Sequence, residues 1–209
     1  MTQKTDPSLN FEQELWQEGF IALAGVDEVG RGCWAGPVVA GAVVLPRGLS
    51  IDTLRGVRDS KQMTELQREK MNLVIQNVAV SFGIGEASSE EIDAKGILNA
   101  TKLAMQRAIS ALKLTPDYYL IDAVRLAGAP CKAIIHGDAL VLSIAAASVI
   151  AKCYRDRLMR DLSTVYPGYG FERNAGYGVP QHIQALNELG ITPINRKSFR
   201  PINTLATAV

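Results

Sequence analysis

The chain has 209 residues, with 22 Lys and Arg set against 21 Asp and Glu, for a formal net charge of +1. That length suits one domain, or one domain with a small appendage, and is long enough to bury a sizeable core. Near-neutrality excludes a global basic field drawing in nucleic acid, so any such surface must be local. No apolar stretch is long enough to span a bilayer, and the polar start "MTQKTDPSLNFEQELWQEG" is unlike a signal or transit peptide. Cys33, Cys131 and Cys153 form no CxxC pair and no metal-ligand spacing. They read as reduced, buried thiols of a cytoplasmic protein.

In chain order, the first ten residues read as disordered. "FEQELWQ" pairs Phe11 with Leu15 at helical spacing, and Gly19 stops the helix. "FIALAGVDE" and "GPVVAGAVVLP" are the first two strands. Thr64 with Gln67 predicts a capping box for a helix over "TELQREKMNLVIQN", and Ser88 with Glu91 predicts another, after a third strand "VAVSFGIGEA". Leu98, Met105, Ile109 and Leu112 then line one helical face. "DYYLIDAV" and "CKAIIHGDA" are strands four and five. A long helix follows, with Ile144, Ala147, Ala151, Leu158 and Leu162 on its buried side. Beyond Tyr166 comes a Gly- and Tyr-rich stretch, "YPGYGFERNAGYGV", then a helix starting near Pro180. The order implies an α/β domain whose mixed five-stranded sheet is flanked by helices, with a helical C-terminal extension. The boundaries read as a polar segment with a short helix over residues 1–19, a core over 20–165 and the extension over 166–209.

Three of the five strands carry acids near their C-terminal ends: Asp27 with Glu28, Asp122 in "LIDA" and Asp138 in "IHGDA". Singly, each Asp reads more readily as a turn residue or a helix cap, Asp138 before the helix at Leu142 included. Together they are hard to explain as caps, because converging buried carboxylates repel one another unless positive charge is supplied. Oxygen-only ligands favour Mg²⁺ or Mn²⁺. Two such cations, typically ~3.5–4 Å apart, are a device for phosphodiester hydrolysis.

The acids of the first strand run into a turn of Gly30, Arg31 and Gly32. Glycines let the backbone approach a ligand, and Arg31 suits phosphate, although an ordinary hairpin turn would read the same way. Arg58 and Lys61 fall in a polar loop, "RDSKQ". Lys152, Arg155 and Arg160 lie on the long helix, where pairing with Asp156 at i,i+4 suggests a solvated face. Arg196, Lys197 and Arg200 form a basic cluster in "INRKSFR". Tyr166, Tyr169 and Phe171 read as core. Tyr177, between two glycines, reads as an exposed, positioned ring able to stack on a base or sugar. His136 would share a strand face with Asp138, and His182 reads as an exposed helix position.

These residues resemble bacterial ribonuclease HII, the type 2 ribonuclease H family. The resemblance runs over residues 21–202 and rests on "GVDEVGRGCWAGPVVAGAVVL", "RDSKQMT", "ILNATKLAMQRA", "PDYYLID", "GDALVLSIAAASVIAKCYRD", "YPGYGFERNAGYG" and "RKSFRPI". It implies a ribonuclease H-like fold and metal-dependent endonucleolytic cleavage of RNA in RNA–DNA hybrids and at single ribonucleotides in duplex DNA, leaving a 3′-hydroxyl and a 5′-phosphate. It implies that Asp27, Glu28, Asp122 and Asp138 are the catalytic acids and hold two cations, Mg²⁺ or Mn²⁺. Gly30, Arg31 and Gly32 would contact the backbone and sense the 2′-hydroxyl, and Lys61 would help hold phosphate. Tyr177 would pack under the deoxyribose that follows the ribonucleotide. Only RNA offers that 2′-hydroxyl as donor and acceptor.

The chain departs from the family pattern at Gly96, His136, Ala175, Val179 and Asn195, positions of phosphate contact and affinity rather than of the acids. The ending "NTLATAV" lacks an aromatic pair, so no sliding-clamp docking motif is expected, and the charge balance suggests a monomer. A type 3 ribonuclease H is disfavoured by Arg31 and by the short segment before Asp27. A catalytically silent nucleic-acid-binding module on the same fold is the alternative from another class.

Overall fold

A strand buried on both faces sits at the centre of the structure, a computed structural model that describes residues 6–126 and 130–206. This is β1, Leu23–Val29, in which only Glu28 is partly exposed. It pairs antiparallel with β2, Val38–Val44, and β2 pairs antiparallel with β3, Ser81–Ala87. On its other edge β1 runs parallel to β4, Tyr118–Asp122, which runs parallel to β5, Cys131–Ile134. The order β3-β2-β1-β4-β5 is the mixed five-stranded sheet expected. β1 and β2 are rich in Val and Ala because both of their faces are covered, whereas the edge strand β3 alternates buried and more exposed residues.

One face packs against α6, Leu142–Val165, with Leu23, Val43, Leu120, Ile144 and Val149 in a common core. The other packs against α4, Ile97–Ser110, through Val26, Ala42, Ile121, Ala104 and Met105. Both predicted capping boxes form: Thr64 caps α2, Glu65–Val78, and Ser88 caps α3, Ser89–Lys95. Each satisfies two otherwise orphaned helix donors, worth about 1 kcal/mol.

Several expectations are corrected. The predicted helix after Ser88 is two, because Gly96 adopts φ +74°, a left-handed conformation that ends α3 and starts α4 at a new angle. Leu98 therefore falls in the first turn of α4 and is exposed, while the buried stripe runs through Ala100, Ala104, Met105 and Ala108. Of the first ten residues, 1–5 lie outside the described residues, and 6–10 are not disordered: Ser8 bridges Val141, and Leu9 is buried. That segment leads into α1, Asn10–Gln17, whose Leu15 and Trp16 join the α6-side core. The Glu12 carboxylate accepts the Ser143 N–H at the start of α6 (2.9 Å).

The C-terminal extension packs on the far end of α6. Met159, Tyr169, Phe171, Ala185, Leu186 and Ile202 form a small third core that includes Ala35, from the loop after β1. It comprises α7, Phe171–Asn174, α8, Pro180–Leu189, and α9, Ile202–Ala206. Tyr169 and Phe171 stack at 5.4 Å, as core residues should. Of the terminal "NTLATAV", residues 207–209 lie outside the described residues.

Candidate active site

Three carboxylates meet where β1 and β4 end. The parallel register Val26↔Ile121 carries Asp27 and Asp122 side by side one step further along. Glu28, which strand alternation sends to the opposite face, still brings an oxygen into the same group. One oxygen each from Asp27, Glu28 and Asp122 lies within 4.8 Å of the others. Asp122 Oδ1 accepts the Gly137 N–H at 2.7 Å, which ties β4 to the short helix α5, Gly137–Leu140.

Asp138 arrives differently from the expectation. It lies in the first turn of α5, not on a strand, and it stands outside the tight group of three. His136, expected to share its strand face, is instead a left-handed residue (φ 57°, ψ 39°) at the start of that helix. Asp138 sits close enough to Asp122 and Asp59 for their charges to act on it. Asp59, which caps the 3₁₀ turn Ser60–Gln62 by accepting the Lys61 N–H, is an acid of this neighbourhood that the sequence reading missed.

The group is short of positive charge. Burial, then the Glu28 charge, holds Asp27 well above the usual carboxylate range, with a hydrogen bond from Ser148 opposing. Burial also raises Glu28, which the Arg31 guanidinium pulls back down. Burial, then Asp59 and Asp122, raise Asp138. Arg31 Nη1 donates to Glu28 Oε1 at 2.9 Å, leaving Glu28 Oε2 buried with no partner. An orphaned carboxylate oxygen beside two further carboxylates is what a hard, oxygen-seeking divalent cation would fill. The residues fit such an ion.

A groove of about 550 Å³ opens beside this group. Glu28, Gly30, Arg31, Gly32, Lys61, Asp122 and Tyr177 line it, so the predicted substrate residues and two of the acids share one wall. Val29, Ile97 and Phe199 complete the lining; none was singled out from the sequence, although Phe199 sits in the "RKSFRPI" block. Lys61 is exposed, and its charge acts on Glu28 and Asp138 together. Tyr177 is 38% exposed. Its backbone carbonyl accepts from His182 Nδ1 at 3.0 Å.

Other cations expected at the surface are elsewhere. Arg155 and Arg196 are fully buried and bond backbone carbonyls. Lys152 does pair with Asp156 (2.6 Å), but Arg160 pairs with Glu65 across to α2 rather than with Asp156. His182 is also fully buried, against Phe171 and Trp34, and burial pushes its imidazole below its ordinary value. Asn195 is a structural cap whose Oδ1 accepts the Thr192 N–H and hydroxyl.

A mixed sheet with carboxylates gathered at the ends of two adjacent parallel strands defines a ribonuclease H-like enzyme, and solved structures agree. The chain is similar to the ribonuclease H2 of Pyrococcus horikoshii, with a TM-score of 0.78 and 27% identity over 90% of this chain and 98% of that one. It is also similar to the ribonuclease HII structure solved in complex with PCNA from Archaeoglobus fulgidus, with a TM-score of 0.72 and 27% identity over 86% of this chain and 96% of that one. The ribonuclease HII of Dehalococcoides mccartyi is 46% identical over 196 residues, 93% of each chain. The sequence model of the ribonuclease HII family matches residues 24–202. The chain belongs to the ribonuclease HII family, and with it to the endoribonucleases that act on RNA–DNA hybrids. No helix among the described residues is long and apolar enough to cross a membrane.

Proposed function

We propose that this enzyme, beyond cutting RNA–DNA hybrids, incises duplex DNA 5′ of a single embedded ribonucleotide and leaves a 3′-hydroxyl and a 5′-phosphate. The observation that carries this reading is the shared groove: Glu28 and Asp122 line it together with Gly30, Arg31, Gly32, Lys61 and Tyr177. Asp27, Glu28, Asp122 and Asp138 are the acids that would hold two divalent cations, Mg²⁺ or Mn²⁺. Bound there, such ions supply Lewis acidity toward the attacking water and the departing oxygen.

The rest of the work falls to this chain's own groups. Arg31 and Lys61 neutralise phosphate and orient it toward the acids. The glycine turn brings main-chain N–H groups close to the sugar-phosphate backbone, where a 2′-hydroxyl can be sensed. Tyr177, exposed beside that turn, stacks under the next sugar and disfavours one with a second 2′-hydroxyl. Residues 20–165 form the catalytic core in this reading, and residues 166–209 supply the tyrosine.

A silent nucleic-acid-binding module is the less supported reading, since a carboxylate cluster with an orphaned oxygen repels phosphate unless cations are held. Cleavage of a labelled RNA–DNA hybrid, run with Mg²⁺, with Mn²⁺ and with EDTA, tests the assignment. Cleavage with either ion and none with EDTA is expected. Cleavage that persists in EDTA would remove the metal role from the four acids, and no cleavage under any condition would leave the binding module.

A further inference from the structure

The loop that follows β1, residues 30–37, is held from beneath by two arginines whose side chains reach no solvent. Arg196, from the C-terminal segment, donates to the carbonyls of Gly30 (2.7 Å), Arg31 (2.8 Å) and Gly36 (2.9 and 3.0 Å). Arg155, from α6, donates to the carbonyls of Pro37 (3.0 Å), Ala35 (3.1 Å) and Ala175 (2.8 Å). No carboxylate pairs with either one among the described residues; every acceptor is main chain. Two buried cations without counter-ions are an expensive arrangement. Burial, with the neighbouring Arg155 charge adding to it, lowers Arg196 to about 10. Such an arrangement calls for a use.

The peptide bond supplies it. In a trans peptide the C=O of one residue and the N–H of the next point in opposite directions. The only cis bond among the described residues is Arg200–Pro201. With the carbonyls of Gly30 and Arg31 drawn inward to Arg196, the N–H groups of Arg31 and Gly32 must face the other way. Both residues are exposed and line the groove. Neither N–H finds an acceptor within the described chain, unlike that of Cys33, which donates to Gly30 O. Gly30 itself (φ +89°) leaves no room for a side chain, since a Cβ would sit 2.3 Å from Arg155 Nε.

The same two arginines tie this loop to the tyrosine. Ala175 O is held by Arg155, and Gly176 O accepts the Trp34 N–H at 2.8 Å. The Arg196 N–H in turn donates to Trp34 O at 2.8 Å. Three segments far apart in sequence are thereby fixed in one register, with Tyr177 at its edge.

We propose that Arg196, seconded by Arg155, is a positioning residue for substrate discrimination: it turns two main-chain N–H groups of the glycine turn into the groove and fixes their distance from Tyr177. This rests on the proposed incision at single ribonucleotides. Arg196→Lys keeps the charge but loses the fork that spans three carbonyls.

The test compares kcat/KM on a duplex with one ribonucleotide and on a long RNA–DNA hybrid, for the wild type, Arg196→Lys, Tyr177→Ala and the double variant, each corrected for folded fraction. The ratio of the two substrates should fall at least about tenfold in Arg196→Lys, the size of one lost stacking contact. The double variant should lose less than the product of the two single losses, because Arg196 sets the distance between the turn and Tyr177 and the two are coupled. Equal losses on both substrates, or an unchanged ratio, would make Arg196 merely structural and overturn the proposal while leaving single-ribonucleotide incision intact. A wild type that ignores the single ribonucleotide would remove the underlying reading as well. Hydrogen exchange of the wild type serves if Arg196→Lys does not fold. The Trp34 and Arg196 amides should be protected as strongly as those of β1, and exchange at exposed-loop rates would overturn the lock.

Discussion

The two ends of the groove are built on opposite principles. At the sheet end, acids are crowded together, the carboxyl groups of Asp27 and Glu28 are raised by burial and by neighbouring carboxylates, and Glu28 Oε2 has no partner. At the loop end, two buried arginines spend seven hydrogen bonds on main-chain carbonyls, and the backbone is fixed in one shape. The first region stores unmet demand for positive charge. The second is satisfied internally and turns only chosen groups outward. Chemistry needs the former, because a site that is already neutralised has nothing to offer a cation. The proposed discrimination needs the latter, because a reading surface that moves cannot reject a wrong sugar.

The largest effect should come from the acidic end. Asp122→Asn removes charge from the tight group while keeping the acceptor for the Gly137 N–H. Hybrid cleavage should fall on the order of 10³-fold or more, with circular dichroism unchanged. Near-normal turnover in a folded variant would remove Asp122 from the chemistry.

Tyr177→Ala should act at the other end and by less. Losing one stacking contact of about 1–3 kcal/mol should cost roughly 5- to 150-fold at a single ribonucleotide, with the long hybrid less affected. Equal losses on both substrates would contradict a reading role.

Stability should move the opposite way from activity. The native Asp27 carboxyl is raised above its ordinary 3.8, so the folded chain binds more protons than the unfolded one between those two values. Stability contributed by this group therefore falls as pH rises through that window and is lost in full above the raised native value. Asp27→Asn should raise the Tm of the metal-free protein at pH 7 by a few degrees, and the gain should vanish below the ordinary value. Thermal melts across pH would show it. A Tm at pH 7 lowered by the change would mean that Asp27 is not under charge strain.

Added Mg²⁺ or Mn²⁺ should recover that lost stability in the wild type, by about 2.7 kcal/mol at one hundred times Kd. The shift should be much smaller in Asp27→Asn, and an equal shift in both would place binding elsewhere.

Much of the sheet and of the acidic end was legible because it is local. Apolar runs, turn residues and capping boxes are read from neighbours in sequence, and Asp27, Glu28, the glycine turn and Tyr177 stand in short motifs. What was not legible depends on distant main chain. Arg155 and Arg196 look like surface cations because most of their acceptors lie about 120 and 160 residues away in sequence and all are carbonyls, which no composition reveals. A signal existed for Arg155, which falls on the same i,i+4 stripe as Ala147, Ala151 and Met159, all buried. His182 likewise shares its stripe with Ala185 and Leu186. The left-handed turn at His136 and the break at Gly96 escaped for a different reason: a single dihedral leaves no periodic trace.

One measurement bears most directly on the account. A labelled duplex carrying a single ribonucleotide, beside its all-DNA twin, would be incubated with the enzyme and Mg²⁺ or Mn²⁺, and the cut mapped to the nucleotide. The account predicts one incision immediately 5′ of the ribonucleotide, none in the twin, and none with EDTA. Cutting of long hybrids alone would leave the acids in place and strip the glycine turn and Tyr177 of their reading role.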